Sequence, residues 1–342
     1  MNQKYERLMN VLNRKAVDRP PCICPGGMMN MVTKDIIALE GFEFKKVHHD
    51  SEMMAKLSKR VYDENCFENY GVPFCMTIEA EAFGAKVDFG KDDIEPHVIK
   101  YSCESVSDYK KLVAPKHNTA RRKVVLDAIG ILKADDLGGP IIGNITGPIS
   151  TASSIMEPIV FYKELRKKSH DAHRFISIIT DHLLAFALAQ VEAGADVIAI
   201  SDPSGTGEIL GPKLFEEFMV PYINRITEAV HERGRKTIVH ICGKMDKVYQ
   251  QVGLIDTCAL SFDALVNMKQ AKTHLPNHTI MGNISTYTLE FGNPENIKQR
   301  TKVCLNQGVD IIAPACGLGM RSPIENIQAI IKTLDGVKND NS

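Results

Sequence analysis

From residue 140 onward, short apolar runs alternate with amphipathic stretches of helical period. The runs cover 140–144, 195–200, 237–240, 257–262, 278–281 and 309–313. The helical stretches cover 155–160, 169–193, 211–233, 246–252, 268–273, 294–306 and 323–334. Runs that are apolar on both faces and separated by helices predict a parallel sheet covered by helices. Residues 20–24 and 74–78 supply two further runs, and together the runs predict an α/β fold of the (βα)8 TIM-barrel type. Residues 79–101 break the rhythm: 82–88 and 96–101 read as a small β-hairpin insertion. A helix over 5–13 is expected to close the bottom of the barrel, with 1–19 as an N-terminal helical cap on a single domain spanning 1–342. A doubly wound open sheet is the alternative, but no Gly-rich dinucleotide fingerprint follows the first strand.

Barrel enzymes carry their chemistry at the C-terminal strand ends. Here those ends supply Asn144, Asp202, His240, Cys242, Asp263, Asn283 and Cys316, which would meet at one mouth. His240 and Cys242 are two apart on a strand, so their side chains point the same way. One imidazole and two thiolates form a set that leaves zinc a fourth position for a substrate, as catalytic sites do. Buried core cysteines are an equal alternative at this point, because cysteine is among the most often buried residue types and the chain has nine. Gly243 and Gly317 follow the two cysteines, where a missing Cβ lets the backbone turn or approach closely.

Asp263 reads as a fourth ligand, a hydrogen-bonding neighbour of the metal or a helix cap; Asp202 reads as a partner of His240, a cofactor contact or a turn cap. Asn144 and Asn283 offer amides to a substrate or cofactor, or serve ordinary turns. Cys22 and Cys24, with no histidine close by, are expected to be buried, and Met28, Met29 and Met31 to line a pocket or fill the core.

Charge narrows the class of function. Lys plus Arg number 41 against 42 Asp plus Glu, with no run of like charge, so nucleic acid and anionic membranes are not expected partners. The start lacks a signal-peptide core, and no stretch reaches about 18 uninterrupted apolar residues. Nine irregularly spaced cysteines fit reduced thiols, and a cytoplasmic location is expected.

Over nearly its whole length the chain resembles the uroporphyrinogen decarboxylase superfamily and, within it, the methylcobamide:coenzyme M methyltransferase branch. The resemblance is carried by Gly143-Asn144-Ile145-Thr146-Gly147-Pro148, Gly194-Ala195-Asp196-Val197-Ile198, Ser201-Asp202-Pro203, Val239-His240-Ile241-Cys242-Gly243, Met281-Gly282-Asn283 and Ala313-Pro314-Ala315-Cys316-Gly317. It implies a TIM barrel with Zn2+ held by His240, Cys242 and Cys316. It also implies transfer of a methyl group from a methylated corrinoid, carried by a separate corrinoid protein, to a small thiol such as coenzyme M. The arginine-rich segment of the decarboxylases has no counterpart in Cys24-Pro25-Gly26-Gly27-Met28-Met29-Asn30-Met31. A substrate with many carboxylates needs several fixed cations, which argues against porphyrinogen decarboxylation. Two further alternatives are a methyltransferase from a halide, thioether or methoxy compound to a corrinoid protein, and a non-catalytic corrinoid-binding protein. No Asp-X-His-X-X-Gly stretch is present for carrying corrinoid on this chain itself.

Overall fold

Among the described residues, seven strands lie side by side in one parallel sheet. They are β1 (Tyr70–Val72), β4 (Ile141–Thr146), β5 (Val197–Ser201), β6 (Lys236–Ile241), β7 (Ala259–Phe262), β8 (Thr279–Ile284) and β9 (Ile311–Pro314), in that spatial order. Two more, β2 (Lys86–Asp88) and β3 (His97–Lys100), pair antiparallel in a separate hairpin. The computed structural model describes residues 3–91, 94–112, 120–135 and 138–340.

The sheet curls until its two edges meet on the segment 21–24. On one side Ile23 N–H donates to Ile312 O at 3.0 Å, and Ile312 N–H donates to Pro21 O at 2.9 Å. On the other, Glu68 N–H donates to Cys22 O at 2.8 Å, and the Asn69 side chain bonds both backbone groups of Cys24. The sequence-predicted eighth stave at 20–24 therefore closes an α/β barrel of the TIM type, held by a bridge and side chains rather than a full ladder. The Glu68 carboxylate anchors this closure: it accepts from Cys22 N–H and pairs with Arg7 at 2.7 Å and Arg19 at 3.0 Å, all three side chains being buried.

The strand expected at 74–78 lies instead at Tyr70–Val72, and 78–82 is helical. Pro73 has no N–H to continue the ladder, so pairing stops before it. The helix expected over 211–233 is two helices, Gly207–Phe218 and Val220–Glu232, the first kinked at Gly211, whose φ of 68° is not helical. The helix Gln3–Leu12 packs under the N-terminal strand ends, where Thr279 Oγ1 donates to Val11 O at 3.3 Å.

The helix Ser169–Ala193 is long and apolar enough to cross a membrane by length and composition. Its Phe175, Ile179, Leu183 and Phe186 are buried within the protein core, which accounts for that composition.

Candidate metal centre

The β6 run Lys236-Thr237-Ile238-Val239-His240-Ile241 is buried from its second residue on, as a strand enclosed by neighbours and helices must be. Its end carries His240, and Cys242 follows one residue later. Cys316 arrives from the loop after β9, with β7 and β8 between it and β6, and it reaches Cys242 because the sheet curls. His240 Nε2 is 3.2 Å from Cys242 Sγ, and Cys242 Sγ is 3.9 Å from Cys316 Sγ. The ligand atoms of all three lie within 4.8 Å of one another.

Strand register fixes the imidazole. His240 pairs with Ser261 on β7, and Nδ1 sits 2.9 Å from Ser261 Oγ, which turns Nε2 toward the sulfurs. The hydrogen bond it shares with Cys242, and a further one with His240, hold Cys316 well below the usual thiol range despite its burial. Cys242 is pushed up by the proton it shares, by burial and by the charges of Cys316, Asp263 and Asp202. Thiolate is the form in which a cysteine ligates a metal, and the surroundings of Cys316 favour it.

The two glycines matter here for different reasons. Gly243 has φ 79°, the left-handed turn that carries the chain away from Cys242. A Cβ on Gly317 would lie 2.6 Å from Met28 O, so only glycine lets the Cys316 loop lie against the loop after the first stave. That contact places Met28 Sδ 3.7 Å from Cys316 Sγ and Met29 Sδ 3.9 Å from Ser261 Oγ, lining the cluster with two polarizable side chains.

The four other expected site residues surround or support the cluster. Asp263 Oδ2 accepts from Gly243 N–H at 3.3 Å and Oδ1 from Leu265 N–H at 2.9 Å, so it pins the turn after Cys242 and stands outside the three-residue group. Asp202 is fully buried and caps the helix Pro148–Ile155, accepting from Ile149 N–H at 3.1 Å, Ser150 N–H at 2.7 Å and Ser150 Oγ at 2.6 Å. Burial pushes its carboxyl up to about 6, against the pull of those donors. It does not orient His240; Ser261 does.

Asn144 spends its amide N–H groups on Pro25 O at 2.7 Å and Val72 O at 3.0 Å, fastening two loops of the mouth, while its Oδ1 is buried without a partner. Asn283 turns to the outer layer. It donates to Asp263 O and Val266 O, each at 2.8 Å, and its Oδ1 lies 3.9 Å from Cys304 on the helix Pro294–Asn306.

Two participants had no signal of their own in the sequence. Ser261 could have been found only by assigning the register opposite His240. Glu95, in the hairpin, accepts from Asn30 Nδ2 at 3.0 Å, and burial pushes its carboxyl up to about 7. Cys22 and Cys24 are buried, as expected, and all nine cysteines are free.

The uroporphyrinogen decarboxylase (URO-D) family model matches residues 3–337. The chain belongs to that family. The methylcobamide:CoM methyltransferase MtbA of Methanosarcina acetivorans is 31% identical over 336 residues, covering 97% of this chain and 98% of the relative. The methylated-thiol–coenzyme M methyltransferase of Methanosarcina mazei is 29% identical over 312 residues, covering 90% of this chain and 83% of the relative. A solved structure, a methyltransferase from Methanosarcina mazei, superposes with TM-score 0.91 at 27% identity and 98% coverage of both chains. Within the URO-D family the chain is a methyltransferase.

Proposed function

We propose that the chain transfers a methyl group from a methylated corrinoid, presented by a separate corrinoid protein, to a small thiol of the coenzyme M kind, with zinc held by His240, Cys242 and Cys316. The observation that carries this reading is the compact set of one imidazole nitrogen and two sulfurs at the barrel mouth. The donors suit zinc in number and softness: three protein ligands, two of them sulfur, leave one position for a substrate. When bound, zinc supplies a positive charge that keeps an acceptor thiol as thiolate at neutral pH.

The chain's own groups do the rest. Ser261 holds the His240 ring so that Nε2, not Nδ1, faces the sulfurs. Asp263 fixes the turn beneath Cys242, and Met28 keeps apolar, polarizable surface beside Cys316, where water would otherwise solvate a reacting sulfur. In the transfer the acceptor's sulfur attacks the methyl carbon. A sulfur–carbon bond forms, the carbon–cobalt bond breaks, and its electron pair stays on cobalt as cob(I)amide. The likeness to MtbA, named for methylcobamide and CoM, supports this direction.

A second reading is favoured by the relative named for methylated thiols. In it the site takes the methyl group from a thioether and passes it to cob(I)amide. One panel separates the two: protein with methylcobalamin and a series of thiols, 2-mercaptoethanesulfonate included, followed by the cob(I)alamin spectrum. Turnover with a thiol supports the first reading. Silence with every thiol, together with activity from methylated thiols on cob(I)alamin, replaces it with the second.

A further inference from the structure

At the closed end of the barrel, away from the cluster, three side chains stand in line. His231 lies in the last turn of the helix Val220–Glu232, and Asp256 and Cys258 lie just ahead of β7. Cys258 Sγ is 3.6 Å from His231 Nε2, and Asp256 Oδ2 is 3.5 Å from His231 Nδ1. Nε2 also meets Thr237 Oγ1 at 2.8 Å, itself 2.9 Å from Thr257 Oγ1. A thiol, an imidazole within its reach and a carboxylate on the far ring nitrogen are the parts of an activated nucleophile.

The surroundings favour the charged pair. Burial pushes the Cys258 thiol up, but the hydrogen bonds from His231 and from Thr237 N–H, with the charges of His231 and Lys236, outweigh it and leave the thiol below its usual range. His231 is raised in turn, first by its bond to Cys258 and then by Asp256. Access separates this thiol from the rest: six of the other cysteines are buried, and the remaining two, Cys242 and Cys316, belong to the cluster. Cys258 and His231 are both part-exposed.

We propose that Cys258, with His231 as its base and Asp256 orienting that base, is a thiol-modification site that takes low-molecular-weight disulfides. The Cys258 thiolate attacks one sulfur of the disulfide, a protein–small-molecule S–S bond forms, and the small molecule's own S–S bond breaks. The departing half leaves as a thiolate and takes the proton that Cys258 had given to His231. The disulfide is the oxidant, and no other co-reactant is needed. Neither the metal nor the corrinoid enters this step, so the inference stands apart from the proposed methyl transfer.

The test uses the full-length chain supplied with zinc, treated with 2-hydroxyethyl disulfide between pH 6 and 8 and mapped by peptide mass spectrometry. The mercaptoethanol adduct is expected first on the peptide carrying Cys258, at a rate that falls less steeply from pH 8 to 6 than that of a free thiol. His231→Gln should slow it about tenfold at pH 6.5, because the imidazole no longer holds the proton. Adducts forming first on other cysteines, or His231→Gln reacting at the parent rate, would overturn the proposal. Should that variant not fold, the parent's own profile decides. A rate falling about tenfold per pH unit from 8 to 6 marks an unassisted thiol and rejects the site.

Discussion

Ser261 Oγ and His240 Nδ1 are 2.9 Å apart across the β6–β7 register, and this one contact determines which ring nitrogen meets the sulfurs. Ser261→Ala should therefore weaken zinc binding by about 10–100-fold while leaving all three proposed ligands in place, the range seen when the partner of a ligating histidine is lost. Competition against a chromophoric chelator measures this. Unchanged affinity would show that the ring needs no such partner.

His240→Ala and Cys316→Ala should each bring zinc content close to background and stop methyl transfer, with the far-ultraviolet circular dichroism of the barrel preserved. Metal analysis of the dialysed variants checks the assignment. Full zinc in either variant would remove that residue from the ligand set.

Asp202 gives the stability a pH dependence of known sign. Its carboxyl titrates near 3.8 in an unfolded chain and near 6 when buried, so between these values the folded protein holds a proton that the unfolded chain has released. The associated stability is complete below about pH 4 and is lost as pH rises through 6, about 3 kcal/mol in all. Asp202→Asn cannot ionise and should lack this slope. Urea unfolding of both proteins from pH 4 to 7 tests it, and parallel curves would reject the assignment.

Glu68 should be among the costliest side chains to remove. Glu68→Ala leaves Arg7 with Asp18 alone, Arg19 with the exposed Asp335 alone, and Cys22 N–H without its acceptor. A loss of about 3–5 kcal/mol is expected, the usual result of breaking a buried pair by deleting one partner. Chemical denaturation gives the value, and a loss below about 1 kcal/mol would mean that closure does not depend on this carboxylate.

Strands beyond residue 140 were legible because buried parallel strands read as unbroken apolar runs, and the metal-ligating candidates because spacing put His240 and Cys242 on one side of one strand. The same burial hides which way each side chain faces. In Thr279-Ile280-Met281-Gly282-Asn283-Ile284 no alternation distinguishes barrel interior from helical layer, and Asn283, expected at the mouth, lies against Cys304. Tyr70-Gly71-Val72 was missed because three residues, one of them glycine, make too short a pattern to stand out from the apolar run that follows Pro73. Asp263 had a capping interpretation in the sequence and accepts from Leu265 N–H, whereas Asp202, read as a cap of the turn that follows it, accepts from Ile149 and Ser150 on another helix.

The proposed ligands also divide the chain unevenly. Cys242 and Cys316 are 74 positions apart, with β7, β8 and β9 strung between them. An ion gripped from both ends would act as a removable clasp on the last third of the molecule, tying its anchorage to metal supply because only the folded arrangement offers all three donors. Starvation for the metal would then silence the enzyme and loosen its C-terminal staves together, exposing them to proteolysis before the rest of the barrel.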